Sequence, residues 1–84
     1  MAREDYLLNK ACKLSQEYAD ENGYAIMQPS LGNSGCEIHE GKEYVVLRNK
    51  TEILSVWLVE SEFALSSVDD YEDLPDALQE EFSA

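Results

Sequence analysis

Tyr44-Val45-Val46-Leu47-Arg48-Asn49-Lys50-Thr51-Glu52-Ile53-Leu54-Ser55-Val56-Trp57-Leu58-Val59 is the stretch from which the fold of this chain is read. The runs 43–49 and 52–60 are rich in β-branched and aromatic residues, which pack well on a pleated surface. Between them lies the short polar Asn49-Lys50-Thr51, with an Asn that tolerates a left-handed turn conformation. Two strand-like runs joined in this way predict a hairpin. With a side-chain period of two, Val45 and Leu47 share one face of the first strand, and Tyr44, Val46 and Arg48 the other. In the second strand Ile53, Ser55, Trp57 and Val59 alternate with Leu54, Val56 and Leu58, and neither set is polar. A strand apolar on both faces is central, so each face needs a cover: one helix for the first, and the second helix, a curled sheet or another subunit for the other.

Upstream, 3–22 reads as a helix. Leu7, Ala11, Leu14 and Tyr18 recur at helical spacing, flanked by Leu8, Cys12, Ser15 and Ala19, as one stripe wide enough to face a sheet. Glu4 and Asp5 sit where the helix dipole favours anions, and Asn22-Gly23 supplies a stop. Tyr24–Gln28 reads as a short strand ended by Pro29, and 29–35 as a loop by composition. Cys36–His39 is a further short strand, with Glu40-Gly41 a tight turn into the hairpin. A strand over Phe63–Val68 follows. Leu74–Phe82 is expected to be a short amphipathic helix, with Leu74, Leu78 and Phe82 on its core face, Asp73 placed to cap it and Pro75 in its first turn. The expected fold is therefore α+β in a single domain, 1–84. An N-terminal helix packs on an antiparallel meander of about four to five strands, and a short helix closes the chain.

The charge is extreme and uneven. The 84 residues carry a formal net charge of −12. All six Lys and Arg fall in the first 50 residues against eight acids, whereas residues 51–84 hold ten acids and no Lys, Arg or His. Phosphate contacts need basic patches, so direct binding of nucleic acid or an anionic membrane is not expected. The opening Met-Ala-Arg-Glu-Asp has no apolar signal region, and no apolar run approaches the ~18 residues of a membrane span. The expected location is cytoplasmic, with reduced thiols.

Candidate chemistry is thin. Cys36-x-x-His39 has metal-like spacing, but on a strand the two residues point to opposite faces, and Cys12 is the one other Cys; a closed zinc site takes four N or S ligands. Glu37 beside Cys36 disfavours a thiolate. Gly32-Asn33-Ser34-Gly35 lacks the Lys and following helix of a phosphate loop and is one residue short of a serine nucleophile elbow. Asp69-Asp70-Tyr71-Glu72-Asp73 lacks the alternating ligands and central Gly of a calcium loop. No catalytic residue, metal or cofactor is expected, and the chain reads as a non-enzyme.

What remains is the acidic tail. Asp69, Asp70, Glu72, Asp73, Asp76, Glu80 and Glu81 are the candidate partner-binding residues, with Asp73, Asp76 and Glu80 at i, i+3 and i+7 along the outward face of a helix. They point to a small acidic interaction module that docks on a basic protein, as an inhibitor or nucleic-acid mimic covering a nucleic-acid-binding site. The alternative is a structural or regulatory homodimer without catalytic activity, using Leu54, Val56 and Leu58 as a dimer or core face.

Overall fold

The computed structural model describes residues 3–23, 33–60, 64–68 and 71–83, the side chains of Phe82 and Ser83 excepted. Helix α1 (Arg3–Glu21) precedes strands β1 (Gly35–His39), β2 (Lys42–Asn49), β3 (Glu52–Val59) and β4 (Leu65–Ser67). A 3-10 turn (Tyr71–Asp73) then leads into helix α2 (Asp76–Ser83). The strands form one antiparallel sheet in the order β1-β2-β3-β4, so the expected α+β meander is what the chain adopts. The expected strand Tyr24–Gln28 lies outside the described residues.

Each face of the sheet carries its own apolar cluster. On one face Leu7, Leu8 and Ala11 of α1 pack with Val45, Leu47 and Trp57; on the other Leu74 and Leu78 pack with Tyr44, Val46 and Val56. The second cover is thus the segment from Leu74 into the terminal helix, and β2 is buried on both sides from Tyr44 to Leu47. The stripe of α1 is rotated from the expected one. Its buried positions are Leu7, Leu8, Ala11, Ser15 and Ala19, while Tyr18 is exposed. A four-residue step from 7 to 19 drifts slowly round the helix, and small Ala and Ser let α1 lie close to the sheet.

Both tight turns use left-handed backbone. Glu40 and Gly41 have φ of 55° and 79°, the double positive φ of the two-residue turns that match strand twist. In the second hairpin Asn49 pairs with Glu52 as the end of the ladder, so the left-handed residue is Lys50, with φ 60°, and not Asn49.

The β2–β3 register shifts between Leu47 and Arg48: Leu47 faces Ser55 but Arg48 faces Ile53. Leu54 is the extra residue of this bulge, and Ile53 moves to the α2 face, packing with Val56 and Leu58. Strict alternation had placed Ile53 with Trp57; a bulge re-aims what precedes it. No described helix is long and apolar enough to cross a membrane.

Candidate interaction surface

The acidic tail occupies the 3-10 turn and α2. Glu72, Asp73, Asp76 and Glu80 are all exposed, and among the described residues none of them forms an ion pair. Asp73 ends the 3-10 turn, and α2 starts only at Asp76. The Pro75 carbonyl accepts the first helical bond, from Gln79 at 3.0 Å. Asp73 therefore does not continue the helical row of Asp76 and Glu80. Asp69 and Asp70 lie outside the described residues.

Glu81 is different, because it is already engaged. Both its oxygens accept from the Arg48 Nη2, at 2.9 and 3.1 Å. The Arg48 Nη1 donates to Glu37 at 2.7 Å, and the other oxygen of Glu37 lies 2.9 Å from His39 Nε2. One guanidinium thus joins β1 to α2 across the second face of the sheet. Arg48 keeps only 15% of its side chain exposed. Burial pushes the Glu37 carboxyl up, but the hydrogen bonds from Arg48 and His39 outweigh that and hold it below its ordinary range. Burial lowers the Arg48 pKa; its bonds to Glu37 and Glu81 more than restore it.

This network was not anticipated from the sequence, although a signal was present. The alternation that puts Tyr44 and Val46 inward also puts Arg48 inward, and a charge turned towards a core requires counter-charges. Which ones could not be read off: Glu37 and Glu81 are 11 and 33 residues away.

A second polar knot lies on the α1 face. The Trp57 indole nitrogen donates to Ser15 Oγ at 2.8 Å and to Ser55 Oγ at 3.2 Å, and the two hydroxyls are 3.1 Å apart. Trp57 is core, only 8% exposed. Its one polar atom is satisfied by the helix that covers it, so this serine pair is structural.

Cys36 packs on the α1 cluster, while His39 lies against Tyr44 on the opposite face, ring centroids 6.0 Å apart. Both cysteines are free thiols. Burial pushes the Cys36 thiol up, reinforced by the carboxylates of Glu43 and Glu4, and burial raises Cys12 as well. Such thiols are poor nucleophiles. Among the described residues no group of three His, Cys, Asp or Glu is arranged to hold a metal ion. Val56 is buried, and Leu58 packs beside it under Leu74 and Leu78; Leu54 is half-buried at the bulge.

Comparison with protein-family models, curated proteins and solved structures finds no match to this chain.

Proposed function

We propose that the chain is a small acidic interaction module that docks on a basic protein surface, its carboxylates standing where the phosphates of a nucleic acid would otherwise bind. One observation carries this reading. Glu72 and Asp73 on the 3-10 turn and Asp76 and Glu80 on α2 are exposed without an ion pair among the described residues, in a chain with no Lys, Arg or His after residue 50. Solubility alone does not require such segregation. Carboxylates crowded in this way repel one another, and a basic partner relieves the repulsion on docking.

Charge attraction of this kind acts chiefly on the association rate and fades as salt shortens the Debye length, to about 8 Å at 0.15 M. The test is capture of partners from native lysate at low and high salt. Wild type is compared with the variant Glu72→Gln, Asp73→Asn, Asp76→Asn, Glu80→Gln, Glu81 being kept because it binds Arg48. Basic proteins retained by the wild type, released by salt and lost by the variant support the module. Equal capture by the variant would reduce the surface to a solubilising coat. The alternative, a structural or regulatory homodimer on Leu54, Val56 and Leu58, has less to support it, because Leu74 and Leu78 pack against Val56 and Leu58 within the chain.

A further inference from the structure

The segment from Tyr71 to Ser83 is stitched to itself. The Gln79 side-chain amide donates to the Leu74 carbonyl at 2.7 Å and the Glu72 carbonyl at 3.4 Å. The Tyr71 hydroxyl donates to the Gln79 carbonyl at 3.0 Å. The backbone amides of Leu74, Leu78 and Gln79 bond to Tyr71 and Pro75, all within the segment. These bonds make the turn and α2 one mechanical unit.

Its hold on the sheet is of another kind. Leu74 and Leu78 insert into the second cluster, and Arg48 grips Glu81. The unit carries five acids and no base, and α2 has no basic residue in its last turn, where the helix dipole is negative and a cation is favoured. Arg48, supplied by β2, is the cation at that end. Without its charge, Glu37 and Glu81, both drawn to one guanidinium, become two carboxylates facing each other across the contact. Among the described residues, Arg48 is the cation paired with both Glu37 and the unit's Glu81, so the contact between unit and sheet leans on its charge.

We propose that Arg48 is a latch and Tyr71–Ser83 a strap: release of Glu81 lets the strap leave the sheet as one unit, uncovering Tyr44, Val46 and Val56, while the core between α1 and the sheet stays folded. Small domains open in cooperative pieces of unequal stability, and segments with few buried anchors open first. Among the residues whose side chains are described, the strap buries Leu74, Pro75 and Leu78, whereas α1 buries five. This behaviour belongs to the free chain and does not depend on any docking partner.

Hydrogen exchange read by mass spectrometry on the full chain tests it. Arg48→Met keeps the apolar stem and removes the charge; Glu81→Gln removes the partner's charge at an exposed position and serves if Arg48→Met does not fold. Arg48→Met should speed exchange of the 78–83 amides about tenfold or more, and Glu81→Gln, at its exposed position, roughly two- to fivefold, with 7–19 and 45–47 unchanged. Glu80→Gln, a neighbouring acid outside the latch, should leave 78–83 as in wild type. Unchanged exchange at 78–83 in Glu81→Gln would overturn the latch. So would a rise shared equally by α1 and β2, because the segment would then open only by global unfolding.

Discussion

Trp57 joins the two descriptions of its core, apolar and polar. Its ring fills the space under α1, and its indole N–H has two serine acceptors. Trp57→Ala should lower stability by about 3–5 kcal/mol, a cavity cost measurable by urea melts. Ser15→Ala alone should cost about 1 kcal/mol, because Ser55 still accepts. Ser15→Ala with Ser55→Ala strands a buried N–H, so the pair should cost more than the sum of the two single changes. Additive single costs would show that the bond to Ser15 alone matters. Glu37 sets a pH dependence. Its folded-state pKa is depressed, so the unfolded chain takes up its proton more readily. The resulting stabilisation is full above the unfolded value of about 4.3 and fades as pH falls through the lower folded one. The stability gap between wild type and Glu37→Gln should therefore shrink between pH 7 and pH 3; a constant gap would assign the loss to packing.

The hairpins carry a different lesson at the scale of elements. A two-residue connection demands positive φ whatever residues fill it, and Lys50 is held at φ 60° because Asn49 is already committed to the ladder. Left-handed backbone costs an L-residue about 1–2 kcal/mol. Lys50→Gly should therefore raise stability by roughly 0.5–1 kcal/mol after glycine's extra unfolded entropy is subtracted, read as a higher urea midpoint. An unchanged or lower midpoint would mean that the Lys50 side chain contributes more than its backbone strain removes. At the start of β1 a side chain does backbone work: Ser34 Oγ accepts the Arg48 amide at 2.8 Å and donates to its carbonyl at 3.3 Å. Two ladder groups of β2 are satisfied there without a further strand residue.

For the whole molecule the governing quantity is charge. A net charge of −12 on 84 residues makes self-repulsion a destabilising term, opposed by the ion pairs Arg3–Glu43, Arg48–Glu37 and Arg48–Glu81 among the described residues. Arg3–Glu43 is partly solvated and gains little. Screening should remove more repulsion than attraction, so the melting temperature should rise as NaCl goes from ~0.01 to ~0.15 M, over which the Debye length falls from about 30 to about 8 Å. The rise should be smaller for the variant neutralised at Glu72, Asp73, Asp76 and Glu80. A melting temperature that falls with salt would place the ion pairs, not the repulsion, in control.

Local pattern was enough for most of the described elements. The helix expected over 3–22, the hairpin centred on Tyr44–Val59, the short β1 and the terminal amphipathic helix are legible because their periods and punctuation lie within a few residues of one another. The 3-10 turn at Tyr71–Asp73 and the later start of α2 at Asp76 were not. The acidic tail was equally legible, since charge needs no fold to be counted. The tertiary structure decided what depends on pairing across distance. Register placed the bulge at Leu54 and so sent Ile53 to the other face. The seating of α1 turned Tyr18 outward and Ser15 inward to meet Trp57. The approach of α2 set Glu81 apart from the neighbouring acids by pairing it with Arg48, because an inward-turned guanidinium must find carboxylates, and only the packed sheet determines which ones lie within reach.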